Sequence, residues 1–201
     1  MPRKPQPHVE NKIIVAATNQ IRSHGVNRLR VAEVAREAGT TVAMVYRRFG
    51  DRDGLIDATV AHFYETRIRE AVARAEKLLY SKRPISIDDV LAALPTPQFD
   101  GSVEIHQLLS RVTYLAVENA SFEVRIRRLL EETTPTFEDL LEAVVRRLPE
   151  GQRFDPRIVT LFVMSQDWII NDLRGHHKVT NQEYLEFVRN LMLDSQYRPR
   201  A

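Results

Sequence analysis

The chain of 201 residues contains no cysteine. Disulfides and thiolate metal sites are therefore excluded, and the composition is compatible with a reducing cytoplasm. Apolar runs are too short for a membrane span, and the opening Pro2-Arg3-Lys4-Pro5 is not followed by the apolar segment of a signal peptide. We therefore expect a soluble cytoplasmic protein that does not bind a membrane.

Signatures of catalysis are also missing. The sequence has no nucleophile elbow, phosphate-binding loop or dinucleotide fingerprint. The adjacent pair His176-His177 lacks a further ligand at a recognised spacing, so a solvated turn after Gly175 explains it better than a metal site. The carboxylates of Glu131-Glu132 and of Asp88-Asp89 diverge, because consecutive residues do not share a helix face. The sequence predicts no catalytic residue, no metal site and no cofactor.

What the chain does contain is a helix-turn-helix pattern between residues 31 and 49. One stripe of its first helix consists of small apolar residues: Val31, Val34, Ala35 and Ala38. This spacing is typical of a short helix that packs on one side. Gly39 lies where the helix has to stop, and Thr41 can cap the next helix through its hydroxyl. The pattern makes DNA the leading candidate partner.

The second helix of the pattern has two different faces. Val45 and Phe49 are predicted to point inward, and the outward residues are Val42, Ala43, Tyr46 and Arg47. The first residues of a recognition helix approach base edges in the major groove. Val42 and Ala43 cannot hydrogen bond through their side chains, so they would contact a thymine methyl. An inward Tyr46 is the alternative, but its spacing from Val45 and Phe49 favours the outward orientation.

Charge is distributed unevenly along the chain. Residues 1–52 hold 10 Lys or Arg and 4 Asp or Glu, a net charge of +6, whereas residues 53–201 hold 19 and 23, a net charge of −4. A basic head and an acidic body suit binding to phosphates, although ordinary solvated faces are the simpler alternative.

Residues of several types make up the predicted DNA-binding set. The set is Arg30, Thr41, Val42, Ala43, Tyr46, Arg47, Arg48 and Arg52. Its polar and charged members near the recognition helix are expected at phosphates, where they give register and affinity. The proline-rich arm from Pro2 to His8 either rests against DNA or is an inert tail.

These residues resemble the N-terminal domain of the TetR family of transcriptional regulators. The matching positions are Ala16-Ala17, Gly25, Val34-Ala35, Ala38-Gly39, Tyr46, Phe49, Asp51-Arg52-Asp53 and Leu55. Three positions depart from the family pattern, which usually has an apolar residue at Thr40, a small hydroxyl cap at Arg30 and a lysine at Arg52. The resemblance implies a homodimeric regulator, more often a repressor, that binds a near-palindromic operator and is released by a small-molecule effector.

The rest of the chain is predicted to be helical, which gives an all-α protein with a DNA-binding domain over 1–52 and a larger ligand-binding and dimerisation domain over 53–201. Asp51 caps a long helix over about 52–79, and Ser86 caps a short one that Pro95-Thr96-Pro97 ends. Two helices follow over about 101–119 and 121–132. Later helix starts are predicted at Thr134-Pro135, Asp155-Pro156 and Thr180-Asn181-Gln182-Glu183.

The last two helices carry more apolar surface than a body of this size can cover. We therefore predict a homodimer in which two helices of each subunit form a four-helix bundle. The predicted interface residues are Leu161, Met164, Ile169, Tyr184, Phe187, Val188 and Leu191.

Effector contacts are expected among polar or aromatic residues within apolar helical stretches. The candidates are His106, Tyr114, Glu118, Phe162, Gln166, Trp168 and Asn171. Each of them also fits an ordinary core or surface position. The alternative for the whole protein is an all-helical interaction adaptor that keeps a helix-turn-helix shape without binding DNA.

Overall fold

The computed structural model of the chain describes residues 7–94, 103–157, 160 and 180–193. Every regular element in these ranges is helical, which confirms the predicted all-α class. The elements are α1 (Pro7–His24), the 3-10 helix η1 (Val26–Arg28), α2 (Val31–Glu37), α3 (Val42–Phe49), α4 (Arg52–Leu79), α5 (Ile87–Ala93), α6 (Val103–Glu118), α7 (Ala120–Val145) and α8 (Asn181–Leu193). Within the described ranges, no helix is both long and apolar enough to cross a bilayer.

The helix α1 begins at Pro7, so the predicted N-terminal arm is shorter than expected. Proline is tolerated in the first turn of a helix, because its missing N–H has no intrahelical partner there. The other residues of the arm, 2–6, lie outside the described residues.

The chain divides into two compact units. Unit 1 comprises Met1–Glu65 and Ser102–Ile126, and unit 2 comprises Thr66–Gly101 and Arg127–Ala201. The helices α4 and α7 each contribute residues to both units. The functional division that the sequence predicts after residue 52 remains a prediction.

Unit 1 contains the predicted helix-turn-helix. In this unit α1 contacts α2, η1 and α6, α2 contacts α3, and η1 contacts α6. Two ion pairs join α4 to the later helices: Arg111 Nη2 lies 3.2 Å from Asp57 Oδ1, and Arg125 Nε lies 2.6 Å from Glu65 Oε1. The first half of α4 is thereby attached to both α6 and the start of α7.

Unit 2 is held by an apolar core to which α4, α5, α7 and α8 all contribute. The largest fully buried side chain in this core is Phe154, which follows α7. The predicted capping boxes are confirmed at both short helices. Ser86 and Asp89 bond reciprocally at the start of α5, and Thr180 and Glu183 do so at the start of α8. These bonds satisfy backbone N–H groups that have no partner within the helix.

The predicted helix start at Thr134-Pro135 is wrong, because α7 runs without a break through Pro135. Proline inside a helix removes one backbone hydrogen bond, here to the carbonyl of Glu131. Pro135 and Glu131 are both exposed, so water can reach the carbonyl that loses its partner. Thr133 and Phe137 on either side are buried, and packing on this inner face outweighs the local preference for a break.

The structure places the predicted dimer residues of α8 in two environments. Tyr184 and Val188 are buried in the core of unit 2 within one chain, and their predicted place in a dimer interface remains a prediction. Phe187 and Leu191 are 54% and 38% exposed. The other predicted interface residues, Leu161, Met164 and Ile169, lie outside the described residues.

Candidate nucleic-acid interface

The turn between α2 and α3 has the geometry that the sequence predicts. Gly39 has a φ of +64°, the left-handed region that favours glycine. The N–H of Thr40 donates to the carbonyl of Ala35 at 2.9 Å, and the N–H of Gly39 donates to the carbonyl of Arg36 at 3.2 Å. This pair of bonds is a Schellman motif, which satisfies the last carbonyls of α2 while the chain reverses.

The helix α3 then begins with a side-chain cap. Thr41 has an extended backbone, and its Oγ1 accepts a hydrogen bond from the N–H of Met44 at 3.2 Å. This confirms Thr41 as the N-cap. The cap fixes where the helix starts and therefore which of its residues share a face.

The two faces of α3 differ in exposure, although Phe49, which was predicted to point inward, is only half-buried. Val45 is fully buried, whereas Tyr46 is 43% exposed and Ala43 and Arg47 are also exposed. Val42, the first residue of the helix, is half-buried. The exposed face thus combines small apolar groups near the start of the helix with an aromatic hydroxyl and a guanidinium further along.

Three of the predicted DNA-binding arginines have protein partners. Arg48 Nε lies 2.9 Å from Oε2 of Glu10 in α1, and Arg30 Nη1 lies 3.2 Å from Oε1 of Glu33. Arg52 donates hydrogen bonds to backbone carbonyls of the η1 segment, defined here as η1 together with Leu29, which directly follows it. In contrast, the guanidinium of Arg47 contacts the sulfur of Met44. A thioether is only a weak acceptor, so of these four arginines Arg47 loses the weakest contact within the protein when it binds a phosphate.

Two residues with clear positioning roles were missed by the sequence analysis. Gln20 is buried in α1, and its Oε1 accepts a hydrogen bond from the N–H of Arg30 at 3.2 Å. Arg30 is the N-cap residue of α2 and makes no side-chain cap. Gln20 lies seven positions after the buried Ile13 and therefore on the same buried stripe of α1. A polar residue on such a stripe was the sequence signal that could have identified it.

Gly54 is the second residue that was missed. A Cβ on Gly54 would lie 2.0 Å from the carbonyl oxygen of Phe49. Its N–H donates to Oδ1 of Asp51 at 2.7 Å, so the predicted cap of α4 is confirmed. The first turn of α4 therefore lies directly against the end of α3, and only glycine fits this approach. No sequence signal distinguished this glycine from a weak helix position.

The predicted effector residues that the structure describes do not converge on one pocket. Tyr114 is exposed and lines a groove of about 390 Å³ in unit 1, together with Val26, Asn27, Ser110 and Arg111. Glu118 is exposed at the end of α6. The side chain of His106 and the residues Phe162, Gln166, Trp168 and Asn171 lie outside what the structure describes.

Unit 2 contains a small cavity with room for roughly one water molecule. The residues that line it are Ile68, Ala71, Val72, Thr133, Thr134, Phe137 and Thr160. The hydroxyl of Thr160 is buried and has no hydrogen-bond partner among the described residues. Those residues include no cluster of three or more His, Asp or Glu that could hold a metal ion.

Comparisons with known proteins agree with this geometry. Residues 13–59 match the family described as bacterial regulatory proteins, tetR family. No curated protein sequence gives a significant match. Among solved structures, a protein from Rhodococcus sp. assigned to the TetR family of transcriptional regulators is 18% identical, with a TM-score of 0.56 over 92% of this chain and 99% of that one.

Two further solved structures support the same fold. A protein from Mesorhizobium loti assigned to the TetR family is 18% identical, with a TM-score of 0.52 over 96% of each chain. The TetR transcription regulatory protein from Mycobacterium vanbaalenii is 20% identical, with a TM-score of 0.52 over 86% of this chain and 96% of that one. Residues 13–59 therefore carry the N-terminal domain of the tetR family of bacterial regulatory proteins, and the chain has the all-helical fold of TetR-family transcriptional regulators.

Proposed function

We propose that this protein is not an enzyme and acts in the cytoplasm as a homodimeric transcriptional repressor. It binds a near-palindromic operator and leaves it when a small-molecule effector binds. The observation that carries the DNA-binding part is the division of α3 into a buried face at Val45 and an exposed face at Ala43, Tyr46 and Arg47. A helix of this kind can enter the major groove without disturbing the core behind it.

The contacts follow from the chemistry of the exposed face. Val42 and Ala43 at the start of α3 meet base edges, where their apolar groups suit a thymine methyl. The Tyr46 hydroxyl and the Arg47 guanidinium meet phosphates, which fix register but carry little sequence information. The net charge of +6 on residues 1–52 attracts the duplex, and the net charge of −4 on the remainder disfavours other orientations.

Dimerisation supplies two recognition helices. Phe187 and Leu191 lie one helical turn apart on α8 and expose apolar surface that a second copy would cover. Two heads related by a two-fold axis read half-sites about 34 Å apart, which is one turn of DNA. Replacing both residues by Asp should yield monomers in size-exclusion chromatography with light scattering and abolish operator binding.

The effector part of the proposal draws on the cavity of unit 2. The buried hydroxyl of Thr160 has no partner within the described part of the chain, which costs free energy, so it would gain a hydrogen bond from a ligand that expands this cavity. Such a ligand releases DNA only if it binds the low-affinity shape of the dimer more tightly than the DNA-bound shape.

The experiment begins with selection of bound fragments from the genome of the source bacterium. Affinity for the enriched fragment is then measured by fluorescence anisotropy as a function of salt. Arg47→Ala removes two phosphate contacts per dimer, so the slope of log K against log salt should fall by about 1.8. The matched control is Arg69→Ala, which removes the same charge from an exposed position in unit 2 and should leave the slope unchanged.

Three results would contradict the proposal. The protein could retain no fragment at low salt, Arg47→Ala could behave like Arg69→Ala, or a partner protein could bind with little salt dependence, as expected for an adaptor. If the protein does bind a fragment, a search for compounds that release it identifies the effector. A reporter gene downstream of that fragment distinguishes repression from activation.

A further inference from the structure

We propose that Arg52 is a positioning residue that holds the recognition helix in place through the backbone of η1, and that it does not bind a phosphate. The inference rests on the proposed function only where DNA affinity is the readout. It concerns a position where the TetR-family resemblance alone implies a phosphate contact.

The guanidinium of Arg52 is occupied by the protein itself. Its Nε donates to the carbonyl of Leu29 at 3.2 Å, and its Nη2 donates to the carbonyls of Val26 and Asn27, each at 3.0 Å. The remaining nitrogen, Nη1, lies 3.5 Å from Oδ1 of Asp53. Every nitrogen of the guanidinium therefore faces an acceptor within unit 1.

The carbonyl of Val26 already accepts from the N–H of Leu29 at 3.3 Å, whereas those of Asn27 and Leu29 accept no backbone N–H among the described residues and need a donor from elsewhere. The helix η1 has only three residues, so most of its carbonyls have no partner in a continuing helix. Val26 and Leu29 are buried, which limits the access of water to the backbone beside them. A planar guanidinium satisfies several carbonyls at once, because its donors point in fixed, separate directions.

The segment that Arg52 holds leads directly into the helix-turn-helix. Leu29 precedes Arg30, the N-cap residue of α2, and α2 contacts α3. At the other end, α3 leads into the first turn of α4, where Gly54 lies against the carbonyl of Phe49. The first turn of α4 therefore fixes both the entry to α2 and the exit from α3, and Arg52 forms the first of these two attachments.

The identity of the residue distinguishes the two possible roles. A phosphate contact needs a positive charge near the DNA, which lysine supplies nearly as well as arginine. The attachment to η1 uses two different nitrogens of one planar group, and a single ammonium cannot occupy both places. Arg52→Lys therefore keeps the charge and breaks the attachment, whereas Arg52→Met loses both.

The test measures operator affinity, its salt dependence and amide hydrogen exchange in Arg52→Lys, Arg52→Met and the unmodified protein. We expect both variants to lose affinity by about tenfold or more, as for lost hydrogen bonds of a charged group. The salt slope should stay unchanged, and the amides of residues 26–31 should exchange faster. Arg47→Ala is the matched control, with a smaller slope and unchanged exchange at residues 26–31.

Three outcomes would overturn the inference. If Arg52→Lys binds like the unmodified protein while Arg52→Met loses about 1.8 from the slope, Arg52 contacts phosphate. If both variants melt at a lower temperature but bind with unchanged affinity when fully folded, Arg52 only stabilises the domain. If the unmodified protein binds no DNA, the proposed function fails separately, and unchanged exchange at residues 26–31 in Arg52→Lys still refutes the attachment.

Discussion

The ion pair between Glu10 of α1 and Arg48 of α3 predicts that a single neutralising substitution strengthens DNA binding. Arg48 Nε lies 2.9 Å from Glu10 Oε2, and the two side chains are 27% and 43% exposed. If Arg48 contacts a phosphate in the complex, the phosphate has to displace the carboxylate. Glu10 therefore competes with DNA for the same guanidinium, and Glu10→Gln removes the competitor.

The size of the effect follows from the exposure of the pair. Partly exposed ion pairs contribute about 0.2–1 kcal/mol, so a dimer recovers about 0.4–2 kcal/mol when both copies are changed. This corresponds to an affinity gain of roughly twofold to 30-fold at low salt. The same substitution should lower the free energy of unfolding by no more than about 1 kcal/mol.

The assay is fluorescence anisotropy with the selected operator at two salt concentrations. Glu37→Gln is the matched control, since Glu37 carries the same charge on the same unit but accepts from the amide of Asn19 at 3.2 Å. Both variants remove one negative charge from the head and should bind DNA more tightly for that reason, and the increase in affinity should be larger for Glu10→Gln. A loss of affinity in Glu10→Gln would mean that the pair holds Arg48 in its binding position, and a gain equal to that of Glu37→Gln would mean that the pair is irrelevant to DNA. Either result refutes the competition argument.

Three further predictions concern packing and pH. Gly54→Ala places a methyl group against the carbonyl of Phe49, so it should cost about 1–3 kcal/mol of stability in thermal denaturation and weaken operator binding. Gly151→Ala is the control: it is also destabilising, because Gly151 has a φ of +82°, but it lies in unit 2 and should leave operator binding by the folded protein unchanged. Phe154→Ala leaves a cavity in the core of unit 2 and should lower the free energy of unfolding by about 3–5 kcal/mol in urea titrations. Hydrogen bonds from Arg83 and then Ser86 hold the pKa of Asp89 well below its usual range. The unfolded state therefore binds the proton more readily, and stability should fall as the pH drops below about 4. Asp89→Asn should be less stable at pH 7 and should lose less stability between pH 6 and pH 3; an unchanged acid dependence would refute this role.

Local signals were sufficient to predict most helices. The long helix α4 runs over the predicted residues 52–79, because Asp51 caps it and its apolar positions recur at helical spacing. Gly39 and Thr41 specify the turn through their own backbone and hydroxyl preferences. Each of these features depends on residues within a few positions of one another, so the sequence pattern contains them directly.

Features that depend on distant partners could not be read in this way. The proline rule failed at Pro135, because burial of Thr133 and Phe137 decides the path of α7. The charges of Arg48 and Arg52 were evident, but their acceptors lie 38 residues away at Glu10 and 23 to 26 residues away in the η1 segment. A sequence pattern shows that a cation is present and does not show what already binds it.

This distinction changes what the number of basic residues in the head means for DNA binding. A charge that already has a carboxylate partner contributes little to counterion release, because the pair as a whole is neutral. Arg30 and Arg48 are paired in this way, and Arg52 is bonded to carbonyls and lies beside Asp53. The count of 10 Lys or Arg in residues 1–52 therefore overstates the number of cations ready to bind phosphate, whereas the net charge of +6 already subtracts the carboxylates of Glu10 and Glu33. On α3 that task falls chiefly to Arg47, whose neighbour Met44 offers only a sulfur atom.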